Sequence, residues 1–185
     1  MLERREINQI FRSAMCTILT PSFVYNEGEI IASLKNLFMA RARNDVKILF
    51  SLKSFAIPDA LAMMTPYLDG FSVSSFFEAK LARELIGSRG TVHMVTPGYK
   101  PAEIDALAEV SDSISFNSLS QWKRFLGRAS ALASCGLRIN PQLSFVEDKR
   151  YNPCRKHSKL GVPLIQLQKA FVENDRLYDE IQGIH

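Results

Sequence analysis

Short apolar segments alternate with segments of helical periodicity along most of the chain, and this alternation limits the possible fold more than any other feature. A first amphipathic helix is predicted at residues 29–43, and a helix is predicted after each strand that follows. The predicted strands lie at residues 46–55, 71–73, 91–95, 113–116 and 137–139. Connections this short suit parallel β-α-β units. The sequence therefore predicts an α/β protein, either a doubly wound sheet or a (β/α)8 barrel.

Sequence motifs and length bear on the choice between these two folds. No Gly-x-Gly-x-x-Gly or Gly-x-x-x-x-Gly-Lys sequence follows a predicted strand, which disfavours the nucleotide-binding forms of the open sheet. Residues 181–185 are predicted to begin one more strand. A full barrel takes about 250 residues, so we expect about six β-α units and an incomplete barrel.

Composition excludes several classes of protein. The net charge of +4 is scattered along the chain, so it supports a basic nucleic-acid-binding domain only weakly as an alternative. Cys16, Cys135 and Cys154 are far apart, which predicts neither a metal site nor a disulfide framework. No apolar run approaches the roughly 18–20 residues that span a bilayer. We therefore expect a cytoplasmic protein with no membrane or nucleic-acid partner.

Lys53 stands near the end of an apolar strand predicted at residues 46–55. A parallel strand covered on both faces has such an apolar run. A lysine in these surroundings either extends its amine to water or is desolvated toward the neutral, nucleophilic form. The residues by themselves leave both interpretations open.

Other polar residues also follow predicted strands, where a barrel carries its chemistry. The set comprises Ser74, Ser75, Thr96, Asn117, Ser118, Arg138, Asn140 and His185. Ser75 and Glu78 have the spacing of a helix capping box, so a cap alone can explain both. His93 is interpreted as a packing residue of its strand, and His157 as a solvated loop residue.

Several motifs in a fixed order resemble the fold-type III pyridoxal-phosphate decarboxylases, and among them the carboxynorspermidine (carboxyspermidine) decarboxylase group. The motifs begin with Thr20-Pro21 and Leu52-Lys53-Ser54-Phe55. They continue with Ser74-Ser75-x-x-Glu78, Thr96-Pro97-Gly98-Tyr99, Phe116-Asn117-Ser118-Leu119, Gly136-Leu137-Arg138-Ile139-Asn140-Pro141, Tyr151-Asn152-Pro153-Cys154 and Ser158-Lys159-Leu160-Gly161. Each motif is weak alone, whereas together they span most of the chain.

The resemblance implies an alanine racemase-like (β/α)8 barrel and a pyridoxal 5'-phosphate cofactor. Lys53 matches the Schiff-base lysine, Ser75 lies near the cofactor, and Arg138 helps to hold the groups around the pyridine ring. His185 matches the first histidine of a His-x-His element. The implied substrate is a carboxylated polyamine, the product norspermidine or spermidine, and the enzyme a homodimer. Residues 1–26 would form an N-terminal segment and residues 27–185 the partial barrel.

The resemblance also implies parts that lie beyond the matched region. These are a glycine-rich phosphate loop, the acid that pairs with the pyridine nitrogen, the C-terminal β-domain and the partner loop that carries a cysteine. The alternatives are therefore a catalytically incomplete or split piece of such an enzyme, or another fold-type III decarboxylase, such as one acting on diaminopimelate. Ser72 stands where several relatives carry an aspartate, so no carboxylate is assumed there.

Overall fold

The computed structural model describes residue 21 and residues 23–42, 44–155 and 157–185. Two compact units divide between Asp45 and Val46. In the first unit, helix α1 (Glu27–Arg41) begins where the Asn26 side chain accepts the N–H of Glu29, at 3.2 Å. This confirms the helix predicted at residues 29–43. The N-terminal segment up to residue 20 lies outside the described residues, and the predicted domain boundary at residue 27 stays a prediction.

The second unit is built on a parallel sheet of five strands in chain order. These strands are β1 (Leu49–Ser51), β2 (Gly70–Val73), β3 (Thr91–Val95), β4 (Ser113–Phe116) and β5 (Ser134–Leu137). A short parallel pair follows, formed by β6 (Ile139–Asn140) and β7 (Val162–Pro163). The helices are α2 (Pro58–Met64), α3 (Phe76–Ile86), α4 (Ile104–Val110), α5 (Leu119–Ala129), α6 (Leu164–Glu173) and α7 (Leu177–Glu180). Parallel strands in sequential order with intervening helices are the arrangement of a barrel wall, as predicted.

The C-terminal residues extend this wall beside β5. The N–H of Leu137 donates to the carbonyl of Gly183 at 3.0 Å, and the N–H of His185 donates back to Leu137 at 2.9 Å. The N–H of Ile139 then donates to the carbonyl of His185 at 2.8 Å. Leu137 and Ile184 form a parallel bridge. The prediction that residues 181–185 begin another strand is confirmed.

The two faces of the sheet differ in chemistry. One set of alternating residues in β2–β5 is buried and apolar, including Phe71, Val92, Ile114 and Phe116. Trp122 of α5 packs edge-to-face on Phe116 with ring centroids 5.9 Å apart, so it is a core residue, as its helical spacing predicted. The intervening residues are mostly small and hydroxylated. They line a groove of about 460 Å³ that includes Ser72, Thr91, His93, Ser113, Ser115 and Ser134.

Side chains join the amino ends of strands in a repeating pattern. In each case the residue just before a strand accepts the backbone N–H at the start of the preceding strand. The pairs are Ile48 with Asp69 at 2.7 Å, Val92 with Asp112 at 2.7 Å and Cys135 with Gln182 at 2.9 Å. Gln182 thus occupies the same position in its unit as the two aspartates in theirs. This repetition supports the assignment of residues 183–185 to a strand position.

Three sequence predictions of secondary structure are wrong in extent. The strand predicted at 46–55 is only three residues long, because the chain turns into a 3₁₀ turn at Leu52–Ser54. The strand predicted at 137–139 begins earlier and is interrupted at Arg138. The helix predicted from Pro163 to Tyr178 is broken where Asn174 adopts an extended conformation, with φ −148°. Asparagine favours such breaks because its side chain competes for backbone hydrogen bonds.

Candidate active site

All four predicted site residues lie at the carboxyl end of the sheet, with Ser75 following β2. Lys53 belongs to the turn that follows β1, Arg138 follows β5, and His185 ends the strand paired with β5. Lys53 and His185 are exposed, whereas Arg138 is half-buried. In a barrel this edge is where substrates and cofactors bind.

The charges of Arg138 and Lys53 both act on the imidazole of His185. Partial desolvation lowers the pKa of His185, and the positive charges of Arg138 and Lys53 lower it further. Neighbouring positive charge disfavours the charged imidazolium. The imidazole of His185 therefore favours its neutral form.

The surroundings of Lys53 differ from the apolar setting that the sequence predicted. Lys53 is exposed, as are Ser51 and Ser54 on either side, and only Leu52 is buried. The strand that precedes this turn is at the edge of the described sheet, so it has a neighbouring strand on one side only. Of the two interpretations that the sequence left open, this exposure supports the one in which the Lys53 amine extends to water.

Ser75 acts as a helix cap. Its hydroxyl accepts the N–H of Glu78 at 3.2 Å, and the Glu78 carboxylate accepts the N–H of Ser74 at 2.6 Å. The predicted cap is confirmed, although the carboxylate bonds one residue earlier than in the usual capping box. Ser75 lines a separate hollow of about 210 Å³ with Thr96 and Tyr99. The cofactor-binding role of Ser75 stays a prediction.

Tyr99 lines the same hollow as Ser75. Its hydroxyl donates to the carbonyl of Ser115 at 2.6 Å, and its ring lies edge-on to Phe116 at 5.3 Å. Burial raises the pKa of Tyr99, so the phenol stays protonated at neutral pH. Tyr99 therefore joins the loop after β3 to strand β4.

His93 lies in the middle of β3, level with Ser72 of β2. Its Nε2 is 2.9 Å from the hydroxyl of Thr91, at the start of the same strand. Desolvation lowers the pKa of His93, with Asp112 raising it and Lys47 lowering it to smaller extents. These contacts fit the predicted packing role.

The two described cysteines and His157 each have structural surroundings of their own. Burial raises the pKa of the Cys135 thiol to about 11, so it packs as an unreactive core residue. The N–H of Cys154 donates to the side chain of Asn152 at 2.8 Å in the long loop, where His157 is exposed. Across the described ranges no group of histidine, cysteine or acidic side chains could hold a metal ion. Within those same ranges no helix is long and apolar enough to cross a membrane.

Asn117 has a contact role that sequence reasoning missed. The sequence places it after a strand and in the Phe116-Asn117-Ser118-Leu119 motif, whereas the structure shows it buried, with its side chain bonded to the backbone of Lys159 and Gly161. The available signals were an asparagine directly after an apolar strand and a glycine at the end of a polar loop. Neither signal indicates that residues so far apart in sequence meet.

The described residues form one wall of a (β/α) barrel, which is the fold of the fold-type III decarboxylases. The structure superposes on carboxynorspermidine decarboxylase from Campylobacter jejuni, solved with norspermidine, with a TM-score of 0.75 and 30% identity over 91% of this chain and 41% of that one. It also superposes on diaminopimelate decarboxylase from Helicobacter pylori, with a TM-score of 0.73 and 18% identity over 90% of this chain and 43% of that one. The latter likeness supports the fold alone.

Sequence comparison gives the particular relatives. The chain is 33% identical over 91% of its length to carboxynorspermidine/carboxyspermidine decarboxylase from Campylobacter jejuni. It is 33% identical over 87% of its length to carboxyaminopropylagmatine decarboxylase from Synechocystis. The chain spans only 42% and 41% of these two proteins, respectively. No protein-family model matches it. The resemblance inferred from the motifs is confirmed.

Proposed function

We propose that the chain forms the lysine-bearing part of a pyridoxal-phosphate-dependent decarboxylase that acts on carboxynorspermidine or carboxyspermidine and forms norspermidine or spermidine. The observation that carries this proposal is that Lys53, Arg138 and His185 all lie at the carboxyl ends of the strands of a barrel wall. The 33% identity to curated carboxynorspermidine/carboxyspermidine decarboxylase supports the substrate class.

The residues present at this edge fit the cofactor by their chemistry. The cofactor has an aldehyde, which needs a primary amine, and an anionic phosphate, which favours positive charge. Lys53 offers an amine that solvent can reach, and Arg138 contributes a permanent charge. When bound, pyridoxal phosphate supplies the electron sink for loss of carbon dioxide.

The protein residues would divide the remaining tasks among themselves. Lys53 would hold the cofactor through its Nζ and afterwards move a proton at the reacting carbon. Arg138 would orient anionic groups, including the carboxylate of the substrate. His185 would present an uncharged ring, since the neighbouring cations and partial desolvation oppose its protonation. An uncharged ring beside the cofactor adds no charge repulsion against Arg138.

The proposal also includes the cellular compartment, the oligomeric state and the domain boundary. The free thiols of Cys135 and Cys154 suit a reducing cytoplasm, and the relatives' class suggests a homodimer. Residues 1–26 would precede a barrel region that begins at residue 27. An incomplete or split piece of such an enzyme, or a fold-type III decarboxylase with another substrate, remains the alternative from the sequence. A measurement of cofactor binding by the chain itself distinguishes a working site from an incomplete or split piece of the enzyme.

A titration of the 185-residue chain with pyridoxal phosphate tests the proposal. We expect a saturable visible absorbance band that is absent in Lys53→Ala. The matched control is Lys169→Ala, which removes an exposed lysine of α6 and should leave the band unchanged. A wild-type chain without the band, or a Lys53→Ala variant that keeps it, would contradict the proposed site.

A further inference from the structure

Both backbone polar groups of Arg138 are hydrogen-bonded. Its N–H donates to the carbonyl of Phe116 at 2.9 Å, at the end of β4. Its carbonyl accepts the N–H of Val162 at 2.8 Å. The second partner ends a long loop that begins at residue 141. The position of Arg138 therefore depends on what holds the end of that loop.

Asn117 holds the loop end. Its Nδ2 donates to the carbonyl of Lys159 at 2.7 Å, and its Oδ1 accepts the N–H of Gly161 at 2.8 Å. The Asn117 backbone N–H donates in turn to the side chain of Gln121 at 2.9 Å, at the start of α5. The side chain is only 8% exposed, so water cannot readily replace these bonds. One amide thus joins the end of β4 to a segment 42 to 44 residues away.

Gly161 lets the loop approach closely enough for these bonds. It has a φ of +81°, and a Cβ there would lie 2.9 Å from the carbonyl carbon of Ile139. A side chain would be strained in that conformation and would push the loop away. Asn117, Gly161 and Val162 therefore form one closed ring of contacts around Arg138, which we call the Asn117 clamp.

We propose that Asn117 is a positioning residue of the candidate site, which acts through Gly161 and Val162 on the backbone of Arg138. The clamp fixes the backbone from which the Arg138 guanidinium extends. Its importance for cofactor binding rests on the proposed function, whereas the restraint on Arg138 does not. A buried amide with both its donor and its acceptor satisfied is suited to this task because it fixes direction as well as distance.

Two NMR measurements on Asn117→Ala test the clamp without cofactor. We expect the amide protons of Gly161 and Val162 to exchange faster with solvent by about tenfold or more, since their local restraint is lost. We also expect the pKa of His185 to rise toward its ordinary value as the Arg138 charge moves away. Asn152→Ala, which removes an asparagine of the same loop with only a local bond to Cys154, should change neither quantity.

If Asn117→Ala does not fold, Asn117→Ser gives the same readings, since a hydroxyl cannot reach both loop partners. Faster exchange at Gly161 with an unchanged His185 titration would overturn the proposal, because Asn117 would then hold the loop but not Arg138. Unchanged exchange at Gly161 would overturn it as well.

Cofactor titration separates this inference from the proposed function. If the wild-type chain binds pyridoxal phosphate, Asn117→Ala should bind it about tenfold more weakly, and Asn152→Ala should match the wild type. Equal binding by wild type and Asn117→Ala would overturn the role of the clamp in the cofactor site. A wild-type chain that binds no cofactor would defeat the proposed function, while the NMR measurements would still decide whether Asn117 positions Arg138.

Discussion

The pKa of a single imidazole, that of His185, reports on the whole candidate site. It is lowered by partial desolvation and by the charges of Arg138 and Lys53. These two residues follow β5 and β1, the two outer strands of the five-stranded sheet. The sequence identified all three residues through motifs, but the exposure of Lys53 could not be read from them. The exposure of Lys53 depends on which parts of the molecule surround the turn after β1, and a ten-residue segment does not contain that information.

Acid should destabilise the folded chain through its two half-desolvated histidines. The pKa values of His185 and His93 are lowered from 6.5 in the folded state, so the unfolded chain binds more protons below that pH. Their contribution to stability is complete above pH 6.5 and is lost as the pH falls through the lowered folded-state values. Urea unfolding at a series of pH values measures this slope, and His93→Gln should reduce it. The exposed His157 gives the control, His157→Gln, and a wild-type slope that neither variant changes would contradict the assignment.

At the scale of elements, two helices share one design of N-terminal cap. In α3, Ser75 accepts the N–H of Glu78, which accepts the N–H of Ser74. In α5, Ser118 accepts the N–H of Gln121, which accepts the N–H of Asn117. The Ser-x-x-Glu spacing made the first cap predictable from sequence, because capping is a local interaction.

Ser75→Ala should lower the free energy of unfolding by about 1 kcal/mol, since the variant loses a helix cap. Ser118→Ala should cost a similar amount, whereas Ser130→Ala at the exposed end of α5 should cost little. Denaturant unfolding measures all three. If Ser75 also contacts the cofactor, its variant alone will bind pyridoxal phosphate more weakly. A Ser75→Ala variant as stable as wild type would contradict the cap.

Gly136→Ala should detach the C-terminal strand from β5. An added Cβ would lie 2.6 Å from the carbonyl oxygen of Gly183, so the backbone would have to move apart. We expect faster amide exchange at Leu137, Ile139 and His185, whose bonds hold that strand. Gly127→Ala is the matched control, because a Cβ there meets nothing within 4 Å in a helix and should stabilise it by up to about 1 kcal/mol. Unchanged exchange in Gly136→Ala would show that the pairing is absent.

At the scale of the whole molecule, the local sequence pattern predicted the fold, whereas contacts between residues far apart in the sequence could not be predicted. Alternating periodicity gave the parallel units, and strands β3 and β4 begin and end where predicted. The Asn117 clamp could not be predicted, because its partners lie more than forty residues away and contain no recognisable pairing signal. The sequence left the exposure of Lys53 open, because an apolar segment by itself does not show what surrounds the turn that follows it.

Reductive trapping of pyridoxal phosphate on the chain tests the central claim most directly. Borohydride treatment makes the bond between the cofactor aldehyde and a lysine amine permanent, and peptide mass spectrometry then locates the modified lysine. At limiting cofactor the account predicts modification of Lys53, with labelling at that residue reduced in Arg138→Ala because the charge that favours an anionic cofactor is lost. Labelling spread over the exposed lysines, such as Lys169 and Lys159, with no preference for Lys53, would contradict a cofactor site at this edge of the barrel.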